Sequence, residues 1–287
     1  MAEQEQDRSL LLPVIDSHIH LWPLSEVSSL SREQPEEQQR SVSDYKGAVA
    51  KSTPSLLGYV FIEADRKNNH PEPNGEADEE KSWEAPLQEV RWMRRLVTQE
   101  TKEDDGVIDI EEDHKLCLGL VPWAPMARGP EVLERYLTRA QKEAGEETWK
   151  KVKGFRYLLQ DKPHGTMLTD EFIGSLKLLG RRGYTFDVGV DHHRRGKKQL
   201  EEAVEMVEKA HEGVPEDEQV TFILSTFPFP DNHPSLAILQ DLSTNNGFCS
   251  QITSANPTCP LSTPHPTALS TLGARPCTPS PRPTAPT

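Results

Sequence analysis

From Pro13 to Leu224 short apolar runs alternate with longer amphipathic stretches, and this rhythm confines the chain to a repeated strand–helix design. The apolar runs are Pro13 to His20, Leu57 to Glu63, Leu116 to Val121, Val152 to Tyr157, Thr185 to Val188 and Val220 to Leu224. Helical periodicity fills Ser82 to Gln99, Pro130 to Ala144 with proline in the first turn, Thr169 to Leu179 with Thr169 as N-cap, and Lys197 to His211. Strands joined by helices of this length pair in parallel, so the sequence predicts an α/β fold with six strands rather than separate α and β domains. The first connection is longer and poorly patterned. Two acidic insertions, Lys67 to Lys81 and Thr101 to His114, read as solvated loops, and no internal repeat is present.

The rhythm stops at residue 225. All but two of the 32 Lys and Arg, and all but two of the 46 Asp and Glu, precede that point, whereas half of the 24 prolines lie beyond it, set among Ser and Thr. Proline breaks helices and removes ladder donors, and such a stretch buries too little apolar surface to offset its ordering entropy. The expectation is a domain over 13–224 flanked by a disordered N-terminus over 1–12 and a disordered tail over 225–287, with Leu236 to Leu242 as the tail's one helical turn.

A net charge of −14 argues against a nucleic acid or an anionic membrane as partner, since both need clustered Lys and Arg. A small-molecule substrate is the partner expected. The polar run Met1 to Ser9 leaves no room for a signal peptide, no window is apolar enough to span a bilayer, and the chain reads as cytoplasmic. Cys117, Cys249, Cys259 and Cys277 lack the spacing of a zinc ribbon or a disulfide framework and read as free thiols.

Chemistry enters at Val14-Ile15-Asp16-Ser17-His18-Ile19-His20-Leu21-Trp22. Strand residues i and i+2 share a face, so His18 and His20 project together, where two imidazoles can hold one divalent metal or one substrate oxygen. The plainer alternative is a pair of solvent-side histidines. Arg156 closes the fourth run, where its planar fork of donors suits a carboxylate, a hydroxyl or a lactone oxygen, or else a rim salt bridge. Glu63, at the end of the second run, suits metal or sugar hydroxyls, or the capping of the next helix. In Asp187-Val188-Gly189-Val190-Asp191-His192-His193 either histidine can face the site as ligand or proton-transfer group, while the adjoining basic run Arg194 to Lys198 favours exposure of at least one.

An apolar strand leading into Asp-x-His-x-His-x-Trp resembles the first strand of the amidohydrolase superfamily, and Trp22 points to its lactonase branch, which includes L-rhamnono-γ-lactonases. Gly58 to Asp65 resembles the second strand, and Val152 to Gln160 is similar to the family's Gly-x-Arg strand. The resemblance implies a TIM-like (β/α)8 barrel, incomplete here at six units, and hydrolysis of a sugar lactone. It implies a metal, zinc, at His18 and His20, or a metal-free site, with Arg156 and His193 catalytic and Glu63, Arg156 and Trp22 binding substrate. A decarboxylase of the same superfamily would share these features. A doubly wound binding domain would need phosphate-binding glycines after its first strand, and none come after His20 in that segment.

The resemblance ends at Val220 to Leu224, where the family continues with Asn/Asp-His-x-Gly/Cys-Lys-Pro-Asp and this chain does not. Shifting the reading frame within the codons of Gln251 to Pro260 permits Asn-His-Leu-Cys-Lys-Pro-Asp at every position. Ser225 to Gln251 therefore reads as inserted sequence, and the residues beyond Gln251 read as the family's coding region out of frame. The chain as written would then lack the sixth-strand His and eighth-strand Asp that the resemblance implies for the site, and a catalytically inactive truncated product is the alternative to a lactonase.

Overall fold

The computed structural model describes residues 13–32, 38–50, 55–67, 76–107 and 109–224, and only the backbone at 76–78, 110, 192 and 193. The expectations for 1–12 and for 225–287, with the turn at Leu236 to Leu242 and the shifted frame, lie outside the described residues.

Each apolar run forms a strand: β1 Val14–Ile19, β2 Leu56–Ile62, β3 Cys117–Val121, β4 Gly154–Arg156, β5 Thr185–Val188 and β6 Thr221–Leu224. Between β1 and β2 lie a 3-10 turn, Leu24–Ser29, and α1, Val42–Val49. Then come α2 Glu76–Ser82, α3 Glu84–Thr98, α4 Ile110–Leu116, α5 Pro130–Trp149, α6 Asp170–Arg181, α7 His192–Arg195 and α8 Lys197–His211.

Sequence logic accounts for most of these boundaries. Pro130 opens α5, where its missing N–H would be unpaired anyway. The Thr169 side chain accepts from Phe172 N and so caps α6. The first helix of the α5 stretch ends at Ala144, as its periodicity predicts, because Gly145 at φ 73 leaves helical geometry and a second short helical segment follows to Trp149. The acidic insertions are not loops throughout: α2 and α4 occupy their ends, and Asp109 caps α4 by accepting from Glu112 N. Acidic residues in a first helical turn are stabilised by the helix dipole, so an acid-rich stretch alone is no sign of a loop.

All six strands are parallel, in two three-stranded sheets ordered β1-β2-β3 and β4-β5-β6. Parallel bridges Leu120↔Val152 and Trp123↔Arg156 join β3 to β4, so the order across both sheets matches the order along the chain. The sheet curves enough that Ser17, His18 and His20 of the first strand's stretch and Ile223 and Leu224 of the last line a single cavity of about 920 Å³.

Alternation along the strands divides core from cavity. In β5, Phe186 and Val188 are buried with the helices while Thr185 and Asp187 face the cavity; in β2, Tyr59 and Phe61 are buried while Val60 and Ile62 line it. The helical layer is packed by edge-to-face rings, Tyr157–Phe172, Phe172–Phe186 and Phe186–Phe222, with centroids 5.7, 5.8 and 6.3 Å apart.

One polar network is built into this layer. Arg66, 1% exposed, places Nη2 3.1 Å from Glu26 and Nε 3.1 Å from Glu89, and Arg95 forks onto Asp105 at 2.7 and 2.8 Å while also reaching Glu26. It ties the stretch after β1 to α3, fixing the segment that carries Trp22 and Leu30 over the cavity. No helix among the described residues is long and apolar enough to cross a membrane.

Candidate active site

The cavity lies at the C-terminal ends of the parallel strands, where His20, Glu63, Arg156 and Gly189 succeed or end β1, β2, β4 and β5. His18 and His20 share a strand face as their spacing demands, with Nε2 atoms 3.2 Å apart. The protons on these rings are set by their partners. His20 Nδ1 donates to the carbonyl of Glu63 at 2.8 Å, and a carbonyl only accepts, so the neutral ring leaves Nε2 bare. Arg156 Nη1 lies 3.0 Å from His18 Nε2, and a guanidinium only donates, so that nitrogen also carries no hydrogen. The His18 Nε2 lone pair is thus engaged by Arg156, next to the unprotonated Nε2 of His20.

Both rings stay neutral near pH 7, because burial first and the Arg156 charge second push each pKa down to about 4. The spacing fits a cation, since two nitrogen ligands about 2.0–2.1 Å from one tetrahedral zinc lie roughly this far apart. Among the described residues no group of three or more His, Cys, Asp and Glu is arranged to hold a metal.

Arg156 is the hub. It is 6% exposed, with Nη1 3.1 Å from Asp187 Oδ1 and Nε 3.5 Å from Glu63 Oε1. Asp187 Oδ2 lies 3.9 Å from His18 Nδ1, so one carboxylate faces both the guanidinium and the ring. The Glu63 side chain also accepts from Asp65 N at 2.5 Å. Burial raises its pKa to about 8 against the pull of Arg156.

Of the residues singled out in the sequence, His18, His20, Glu63, Arg156 and Trp22 meet at this cavity. Trp22 is held by its indole N–H, which donates to Gln38 O at 2.9 Å. His193 falls in α7, and its side chain is outside the described residues. Two members escaped sequence reasoning. Asp187 is a lone acid inside the strand Thr185–Val188, a signal that the neighbouring histidines masked. Gly189 carries no chemical signal at all, yet a Cβ there would lie 2.9 Å from Arg156 Nη2.

The chain is 30% identical over 198 residues to an L-rhamnono-gamma-lactonase of Scheffersomyces stipitis, a match covering 68% of this chain. This match supports a likeness to the lactonase branch of the amidohydrolase superfamily. The chain spans little more than half, 56%, of the length of that relative. No family model matches it.

Among solved structures it is similar to amidohydrolase 2 from Bifidobacterium longum subsp. infantis, with 21% identity, a TM-score of 0.45, and 83% of this chain and 71% of the other covered. It is also similar to an amidohydrolase from Burkholderia multivorans crystallised with bound zinc, with 17% identity, a TM-score of 0.41, and 74% and 57% covered. At TM-scores this low, the α/β parallel architecture rests on the strand order of the chain itself.

Proposed function

We propose that the described residues form six βα units of an incomplete (β/α)8 barrel, and that the chemistry built on them is hydrolysis of a sugar lactone. The barrel reading draws support from the sequential parallel order, from one cavity shared by the first and last strands, and from the exposure of Val14 and Ile15 on the edge strand β1. A barrel has no open edges, and side chains on strands lacking their neighbours lose their cover.

One observation carries the functional reading: the Nε2 atoms of two imidazoles lie 3.2 Å apart beside a guanidinium that sits between two carboxyl groups at the wall of a large cavity. His18 and His20 hold the attacking water, and the Arg156 fork donates to the ester oxygen that gains charge as water adds to the carbonyl carbon. One of the two imidazoles takes the proton that the attacking water releases; Glu63, as a carboxylic acid, supplies the proton that the ring oxygen needs when the C–O bond breaks and the hydroxy acid forms, and regains it from that imidazole. Trp22 covers the substrate. A divalent cation held by His18 and His20 would supply Lewis-acid polarisation of the carbonyl.

The test is acid release from L-rhamnono-γ-lactone, with zinc and with chelator, by the chain as written and by a version lacking 225–251 with the frame restored. Acid release that is lost in Arg156→Met supports the reading. Carbon dioxide release from a carboxylated substrate would replace it with a decarboxylase, and inactivity of both versions towards any lactone would sink it.

A further inference from the structure

Beside the main cavity, and sharing Arg32, Asp65 and Leu158 with it, lies a smaller one of about 220 Å³ whose wall is completed chiefly by Trp123, Asp161 and Lys162. Its chemistry differs from that of the inner site. The Trp123 indole stands edge-on to Tyr136 at 5.4 Å and tilted to Tyr157 at 6.4 Å, and Tyr157 in turn holds the Lys162 ammonium 5.4 Å from its ring centroid. Aromatic side chains thus fix one wall rigidly. Around it, Arg32 and Lys162 offer donors and Asp65 and Asp161 offer acceptors.

Asp161 is paired with Arg194 at 3.1 Å on the exposed side of the wall, a solvent-screened contact that leaves carboxylate lone pairs for a ligand, and the other groups are held more loosely. Arg32 has Nε 4.0 Å from Asp65 Oδ2, and its side chain is 63% exposed, so a ligand can recruit it at small cost. Asp65 sits at φ 52, a left-handed conformation that is strained for most residues and best tolerated by Asp and Asn. Its carbonyl accepts from Ser31 N at 2.8 Å, which ties the loop after β2 to the loop after β1 at the boundary between the two cavities.

We propose that the smaller cavity is an outer subsite for a second sugar ring, so that the substrate is a lactone carrying a glycosyl group rather than a single ring. This rests on the lactone reading of the inner site. The composition of the wall selects the ligand class. An anion would meet Asp65 and Asp161, a cation would meet Arg32 and Lys162, and an apolar group would strip water from all four without replacing its hydrogen bonds. A polyhydroxylated ring satisfies donors and acceptors together and lays its apolar C–H face on an aromatic wall. The residues shared by the two cavities mean that one linked molecule can occupy both.

Equilibrium binding of two unreactive probes to the full chain tests this without any chemistry: glucitol, which fills one site, and maltitol, its glycosylated form, each monitored by calorimetry and tryptophan fluorescence. The expected result is that maltitol binds at least about tenfold more tightly than glucitol. In Lys162→Met and in Asp161→Asn, checked for folding by circular dichroism, that advantage falls toward unity. Equal affinity of the two probes for the unmodified chain overturns the proposal, as does an advantage that survives both substitutions. A maltitol advantage without lactone hydrolysis would support the outer subsite while the lactonase reading failed; hydrolysis of a single-ring lactone with no maltitol advantage would overturn the subsite alone.

Discussion

Replacing Gly189 with alanine isolates the hub of the site. The three atoms nearest to a Cβ at this position all belong to Arg156, with Nη2 at 2.9 Å, Cζ at 3.5 Å and Nε at 3.7 Å. Gly189 is not among the positive-φ glycines, so alanine introduces no backbone strain and the whole perturbation falls on the guanidinium. An exposed arginine would swing aside, but Arg156 is 6% exposed and held by Asp187 at 3.1 Å and His18 at 3.0 Å. A contact of ordinary van der Waals length requires a retreat of roughly 0.6 Å. That retreat stretches the bond to Asp187 past useful length and leaves a buried carboxylate poorly compensated. Losing one partner of a buried pair outright costs about 3–5 kcal/mol, so a partial displacement should cost about 1–3 kcal/mol. Urea unfolding monitored by tryptophan fluorescence reads this as a lowered midpoint at unchanged slope. A loss below about 0.5 kcal/mol, the usual range for an inconsequential surface change, would refute the claim that Gly189 exists to seat Arg156.

Arg66→Met should destabilise the chain by about 3–5 kcal/mol, because Glu26 and Glu89 would remain buried without their shared cation; thermal unfolding tests it, and a loss under about 1 kcal/mol would show the network to be dispensable. Glu63 makes stability depend on pH with a definite sign. Its folded pKa, about 8, lies above its ordinary value, so its contribution is complete below the usual carboxylate range and lost as pH rises through about 8. Glu63→Gln should therefore flatten the fall in urea midpoint between pH 5 and pH 9, and an unchanged fall would contradict the assignment. Towards acid His18 and His20 act oppositely: their pKa values of about 4 lie below the ordinary imidazole value, so their contribution is present above pH 6.5 and lost as pH falls through 4. Cys117 is wholly buried and its thiol is pushed up to about 12, so peptide mapping should find it unalkylated by iodoacetamide at pH 8 in the folded chain and modified after unfolding.

Period and punctuation determined much of this protein directly from the sequence. Apolar runs at Leu57 to Glu63 and Thr185 to Val188 are strands because their alternation has two faces to bury, and Thr169 starts a helix because its hydroxyl satisfies a backbone donor within its own turn. The His18 and His20 pairing is equally local, a consequence of two-residue strand periodicity. Tertiary structure decided what no local pattern encodes. Arg156 reaches His18 across 138 positions of sequence, Asp187 joins them from β5, and the Glu63 pKa is raised because the fold removes its water. The same holds for Gly189, whose role is the space it leaves for a side chain brought there by another strand, and for the network of Arg66, Glu26 and Glu89. Such effects depend on distance and burial, which decay over a few ångströms in space but bear no fixed relation to separation along the chain.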